Sequence, residues 1–259
     1  MTRIPWTSWV RTIHAFFDPV HSRCVVCERT VRGAAKGQFH GSAPLCVACQ
    51  QQITWIRTIC CPICGRAEVC PDCTRRQAAF AANRAAVTYS PAMKQWLSLY
   101  KYRGHERLGA VFAAMLSMPY ERYLQDFARE KRPFACITYV PVSEQRLAER
   151  GFNQAEQMAR GLGRRYRLPV IPLLHRTRHT DKQSYKTRSE RLNDMQDVFA
   201  LHQQHADLWR TLIQGLNTHQ ARRILLVDDV YTTGSTLNEC SAVIRRELNV
   251  EIYGISWAR

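Results

Sequence analysis

The chain has 259 residues, 46% of them hydrophobic, enough for one substantial core and a smaller unit beside it. Lys and Arg total 37 against 21 Asp and Glu, a net charge of +16, and such a field favours phosphate-rich partners. No stretch approaches the roughly 18–20 continuous apolar residues of a membrane span.

The charge is shared along the chain. Residues 1–80 hold ten bases and four acids, a net +6, and the remainder carries +10. At the N-terminus Arg3, Arg11 and His14 interrupt any signal-like apolar run. Trp6, Trp9, Val10, Ile13 and Phe17 recur at helical spacing and predict a short amphipathic helix docked on the fold. A cytoplasmic chain is expected, with its eleven cysteines reduced or metal-bound.

Four Cys-x-x-Cys pairs follow: Cys24/Cys27, Cys46/Cys49, Cys61/Cys64 and Cys70/Cys73. Each puts two sulfurs on one side of a knuckle, and two knuckles complete a four-sulfur zinc site. Eight ligands predict two structural Zn²⁺ ions. Sequential pairing is simplest, with an interleaved pairing or an iron–sulfur cluster as the alternatives. Cys60 has no Cys-x-x-Cys partner and reads as a bystander. Few apolar runs lie between the pairs, so this region has little core without metal. It either braces the N-terminus or also binds a partner.

Residues 74–82 read as a connection, so a double zinc ribbon over 1–78 precedes an α/β domain over 79–259. Ala85–Tyr89 is an edge-strand candidate. Met93, Trp96, Leu97 and Tyr100 share one helix face, and Lys101-Tyr102-Arg103-Gly104 breaks that helix. Lys101 and Arg103 are either an ordinary basic helix end or a cationic lip over a phosphate site. Leu108, Val111, Phe112, Met115 and Leu116 mark the next helix. Ala135–Val140 reads as a strand, followed by Arg146, Arg150, Gly151, Phe152, Asn153 and Gln154 and a helix to about Tyr166. Gly151 lets the chain turn, and the two guanidinium groups suit a diphosphate.

A polar, basic stretch runs from Arg176 and closes near Phe199. It includes Gln183, Arg188 and Arg191 and suits either a lid over a charged ligand or a solvated helix–loop–helix. Residues 201–221 look like a variable insertion. The most informative stretch is Ile224–Thr236, Ile-Leu-Leu-Val-Asp-Asp-Val-Tyr-Thr-Thr-Gly-Ser-Thr. Its aliphatic run predicts a strand buried on both faces of a parallel sheet. Asp228 and Asp229 then lie at the carboxyl end, where open α/β sheets bind ligands. Thr232, Thr233, Gly234, Ser235 and Thr236 open a helix and form an anion-binding turn. Two carboxylates for sugar hydroxyls beside a phosphate loop imply a ribose 5-phosphate carrying a group at C1. Val250–Trp257 reads as a closing strand.

Ile224–Thr236 resembles the phosphoribosyl-pyrophosphate (PRPP) motif of type I phosphoribosyltransferases. The resemblance implies a Rossmann-like, mainly parallel sheet. It also implies that Asp228 and Asp229 contact ribose, that Thr232–Thr236 cradle the 5-phosphate, and that Mg²⁺ accompanies PRPP. Thr232 stands where purine salvage transferases often carry an Asp that helps handle the base. Nearly the whole chain resembles the ComF/GntX group of competence and DNA-utilisation proteins. That likeness rests on the cysteine pairs, Lys101-Tyr102-Arg103-Gly104, Val140-Pro141-Val142 with Arg150-Gly151-Phe152-Asn153-Gln154, Gln183 with Arg188, Arg191, Asn193 and Phe199, the PRPP motif and Ser256-Trp257-Ala258-Arg259. It implies handling of imported DNA, with single-stranded DNA and DNA-uptake or processing proteins as partners. Three functions are then open: a PRPP-binding accessory protein, a phosphoribosyltransferase acting on a base or nucleotide, or a PRPP sensor with protein partners.

Overall fold

The computed structural model describes residues 23–31, 44–73, 77–102, 105–128, 130, 132–177, 198–216 and 222–259. The expected N-terminal helix, Arg103, Gly104 and the stretch with Gln183, Arg188 and Arg191 lie outside them.

In chain order the elements are α1 (Val47–Gln51), β1 (Ala82–Val87), α2 (Pro91–Tyr102), α3 (Arg107–Met115), α4 (Ser117–Asp126), β2 (Cys136–Tyr139), α5 (Glu144–Arg150) and α6 (Gln154–Tyr166). Then come β3 (Leu174–Arg176), β4 (Phe199–Leu201), α7 (Gln203–Ile213), β5 (Arg223–Val230), α8 (Ser235–Leu248) and β6 (Glu251–Ala258). The main sheet has strand order β1-β6-β5-β2, and every pairing in it is parallel. The expected α/β class holds. The anticipated closing strand, β6, lies inside the sheet, between β1 and β5.

Period-two alternation along β5 divides the core. Leu225 and Val227 join Phe112, Met158 and Trp257 on the α3/α6 face. Ile224 and Leu226 join Leu237, Cys240 and Ile244 of α8 on the other. All four of these β5 residues are fully buried, as the uninterrupted aliphatic run requires. Residues 201–221 are a correction. They contain an ordinary helix, α7, with Ala206 and Trp209 buried at i, i+3. The surrounding His and Gln residues obscure that spacing. The helix begun at Met93 also continues through Tyr102, so Lys101 is helical rather than part of a break.

The cysteine region is divided between the same two cores. Cys24, Val25, Leu45, Cys49 and Ile53 pack with the first, and Cys61, Cys64, Cys70 and Phe80 with the second. Between the modules, Trp55 bridges Val87 and Ile56 N–H donates to Ala86 O at 3.0 Å, so β1 does not end the sheet bare. The second module is stitched to β1: Asn83 N–H donates to Ile63 O at 2.6 Å and Arg84 Nη1 to Pro62 O at 2.8 Å.

The residue after the second cysteine of each leading knuckle is left-handed, Glu28 at φ 60° and Gly65 at φ 74°. Only the second is crowded, since a Cβ on Gly65 would lie 2.4 Å from Asn83 O. Gly65→Ala should therefore destabilise the protein by about 2–4 kcal/mol, combining backbone strain with a displaced contact. Glu28→Gly should be neutral or stabilising by up to about 1 kcal/mol. Denaturant unfolding in excess zinc measures both, and equal effects would refute the distinction.

Candidate functional site

Asp228 and Asp229 occupy the carboxyl end of β5, and the pleat points them to opposite faces. Asp229 meets the α2/α6 side, where Lys101 forms a salt bridge with its carboxylate. Lys101 is set there by its neighbour. The buried Tyr100 ring packs 5.0 Å from Phe112 and 5.1 Å from Phe152, and its hydroxyl donates to Gln157 Oε1 at 2.7 Å. One aromatic contact thereby joins the Lys101 helix to the Arg-Gly-Phe-Asn-Gln turn. Burial opposes the charge on Asp229, but Lys101, then the Val230 N–H and lastly the charge of Arg150 outweigh it and hold the carboxyl below its ordinary range.

Asp228 meets the α8 side and accepts a hydrogen bond from Asp229 N–H at 2.8 Å. Burial, reinforced by the charge on Asp229, pushes its pKa up to about 8. The two acids are thus biased in opposite directions, Asp229 toward its ionised form and Asp228 toward its protonated form, and they titrate as a pair.

The Arg150 turn is rigidly built. Ser143 caps α5, its hydroxyl accepting from Arg146 N–H at 3.4 Å, and Gly151 closes the helix at φ 77°. Asn153 caps α6 by accepting from Ala155 N–H at 3.0 Å, and its amide donates to Val140 O at 3.0 Å, tying the turn to the end of β2. Arg150 Nη1 donates to Gln154 Oε1 at 3.0 Å. The buried Gln154 Nε2 has no hydrogen-bond partner among the described residues. Burial and then the charge of Arg146 push Arg176 of β3 below the ordinary guanidinium range. Arg176 stands 5.5 Å over the Phe199 ring. Sequence reading treats it only as the start of a basic stretch, and its place in a two-stranded hairpin with β4 had no clear local signal.

Beyond β5, Gly234 adopts φ 78° and caps α8, and Thr233 Oγ1 lies 2.8 Å from Ser235 Oγ. Thr232 is exposed, while Ser235 and Thr236 are half-buried. The structure thus brings together Lys101, Arg150, Asp228, Asp229 and the loop Thr232–Thr236, with Gly151 supporting the Arg150 turn. This arrangement offers acceptors for a diol and cations for a polyanion.

The two cysteine groups are the sequential sets, Cys24/Cys27/Cys46/Cys49 and Cys61/Cys64/Cys70/Cys73, with all sulfurs of a set within 4.8 Å of one another. Cys27 Sγ is 3.5 Å from Cys46 Sγ, and Cys64 Sγ is 3.6 Å from Cys70 Sγ. Tetrahedral zinc with bonds of about 2.3 Å needs sulfur–sulfur edges of about 3.8 Å. Burial resists the thiolates of Cys24 and Cys70, but backbone N–H groups of the knuckles outweigh it and bring each to about 7. Burial and then neighbouring sulfurs push Cys49 and Cys73 the other way. Four thiolates in one set thus require a cation, and the residues fit zinc. Cys60 instead donates to Ala67 O at 3.0 Å. None of the described helices is long and apolar enough to cross a membrane.

Purified protein should hold two zinc ions per chain. Elemental analysis should find one ion lost in Cys61→Ser and none in Cys60→Ser; one ion in the parent would contradict the geometry. Asp228 yields a pH prediction. An acid whose folded pKa is raised supports folding fully below its unfolded value, about 3.9, and loses that support as the pH rises through about 8. Asp228→Asn should flatten this part of the profile, leaving the variant more stable than the parent at pH 8.5. Thermal melts of both proteins from pH 5 to 8.5 test it, and parallel profiles would refute it.

No family model matches the chain. Curated relatives do. The chain is 32% identical over 204 residues to competence protein ComFC of Bacillus subtilis (strain 168), covering 75% of each. It is 30% identical over 232 residues to competence protein ComFC of Streptococcus pneumoniae, covering 86% of this chain and 93% of that protein. It is 27% identical over 251 residues to competence protein F of Haemophilus influenzae, covering 91% and 97%. Likeness at this level across most of both chains, on a parallel α/β sheet carrying two tetracysteine groups, establishes that the chain belongs to the ComF family.

Proposed function

We propose that the chain binds PRPP across the carboxyl edge of β5 and serves the uptake or utilisation of DNA. The observation that carries the first half is the salt bridge of Lys101 to Asp229, within the field of Arg150, beside Asp228 and before a hydroxyl-rich loop. In this reading Asp228 and Asp229 bind the ribose hydroxyls, and Thr232, Thr233, Gly234, Ser235 and Thr236 hold the 5-phosphate. Lys101, Arg150 and the Gly151 turn face the diphosphate; Arg146 follows the same strand end as a further cation for it, and Arg103, read with Lys101 as a cationic lip, lies outside the described residues. Lys101 exchanges Asp229 for diphosphate oxygens when the ligand enters. Magnesium supplies further charge neutralisation for the diphosphate, with Asp229 the carboxylate suited to it.

The second half rests on the relatives, which are named as competence proteins, and on the +16 charge. Single-stranded DNA suits a cationic surface with interspersed aromatics, because stacking tolerates any base. The cations on the diphosphate side suit a transferase, which must hold pyrophosphate as it leaves, and equally a PRPP sensor, which must hold it in place. Pyrophosphate release from PRPP, screened against bases, nucleotides and DNA, separates transferase from sensor.

Calorimetry with PRPP and Mg²⁺ should show micromolar-range binding in the parent. Asp229→Asn should weaken it about tenfold to a hundredfold, the worth of one charge-assisted hydrogen bond. Equal affinity in an Asp228→Asn/Asp229→Asn double variant would remove this site. Fluorescence anisotropy should show preference for single over double strands. Its salt slope should match roughly three to six phosphate contacts, at about −0.7 per contact. No binding at low salt would remove the DNA half.

A further inference from the structure

The second cysteine module stands against the hydroxyl loop. A cleft of about 110 Å³ separates Cys64, Cys70 and Cys73 from Tyr231–Ser235. That is well below the roughly 300–1,000 Å³ of a small-molecule pocket, so the module is a wall of the loop rather than a second nucleotide site. Contacts run unbroken across it. Arg259 Nη1 donates to Cys64 O at 2.7 Å. The same guanidinium lies 4.5 Å over the Tyr231 ring, which is also edge-on to Phe80 at 6.1 Å. Gly234 is folded onto that ring so closely that a Cβ there would lie 2.3 Å from Tyr231 Oη. On the flank, Ala79 N–H donates to Asn238 Oδ1 at 2.7 Å in the first turn of α8.

We propose that Arg259 and Tyr231 are positioning residues that fasten the loop Thr232–Thr236 to the second cysteine module, so that metal retention by Cys61, Cys64, Cys70 and Cys73 and ligand binding at the loop are thermodynamically linked. The ligand half rests on the sugar-phosphate reading above; the fastening does not. The module is held by its metal because it has little apolar core of its own. Without the metal the Cys64 carbonyl moves, Arg259 loses its acceptor, and Tyr231 loses the cation that clamps it under Gly234. Linkage is reciprocal: if the metal orders the loop, a ligand that needs the ordered loop must slow metal loss. The first module packs in the other core and serves as an internal control.

Two measurements on the full chain test this. Hydrogen–deuterium exchange of the segment 231–236 should rise at least tenfold in Cys70→Ser. It should also rise in Arg259→Met with both zinc ions retained, and stay at the parental level in Cys46→Ser. Tyr231→Ala should behave like Arg259→Met, while Tyr231→Phe, which keeps the ring, should not. The Arg259 and Tyr231 arms decide the matter even if a cysteine variant fails to fold. Parental exchange in Arg259→Met and Tyr231→Ala overturns the fastening. In the second measurement, zinc release to a chromogenic chelator is followed with and without Mg²⁺–PRPP. One of the two ions should leave several-fold more slowly with PRPP, and that protection should vanish in Arg259→Met. PRPP that binds by calorimetry yet protects neither ion overturns the linkage. A flat calorimetric trace removes the sugar-phosphate reading and the ligand half with it, leaving the exchange arms to decide the fastening.

Discussion

Two consecutive carboxylates at the end of a buried strand cannot both hold full charge without a counter-ion. The protein resolves this through the pleat of β5. Asp229 is turned toward Lys101 and Arg150 and stays ionised. Asp228 is turned toward α8, where burial and the charge on Asp229 favour its protonated form. The site is therefore built asymmetrically before any ligand arrives. Much of the surrounding packing serves that asymmetry, because Lys101 can reach Asp229 only if α2 ends where Tyr100 locks it against Phe112 and Phe152.

The same division runs through the cysteine region. One tetracysteine group packs with the α3/α6 core and the other with the α8 core. They are alike as metal sites but unlike in surroundings. The second is bonded to β1 through Asn83 and Arg84 and to Arg259 beyond β6, so its knuckle continues the sheet's architecture. Gly65 marks the difference: its counterpart Glu28 adopts a similar backbone angle, but only at Gly65 does the sheet leave no room for a side chain.

Readings that depended on neighbours in sequence survived best. The aliphatic run into Asp228 and Asp229, the turn into α8, the helix after the Arg150 turn and the sequential cysteine sets are local patterns, and each appears where its spacing placed it. Readings that depended on composition fared worse. Residues 201–221 looked variable because His, Gln and Asn dominate them, yet Ala206 and Trp209 anchor α7. Lys101 looked like part of a helix break and lies in the last turn of α2, the basic helix end that was one of its two readings. Tyr231 carried no reading beyond its place in the motif and Arg259 none beyond the closing Ser256-Trp257-Ala258-Arg259, because a contact between residues just past the ends of β5 and β6 leaves no trace in either's sequence surroundings.

The order of residues was sufficient for the α/β class, the two four-sulfur sets, the acidic pair and the hydroxyl loop, since each is specified by hydrophobic period or by ligand spacing over a few residues. Folding in three dimensions was needed for the rest. It placed β6 between β1 and β5, gave Asp228 and Asp229 opposite surroundings, brought the charge of Arg146 to bear on Arg176 and set the second cysteine module against the loop. Those outcomes depend on burial and on charges brought together from distant parts of the chain, and both come into being only when the strands pair and the helices pack.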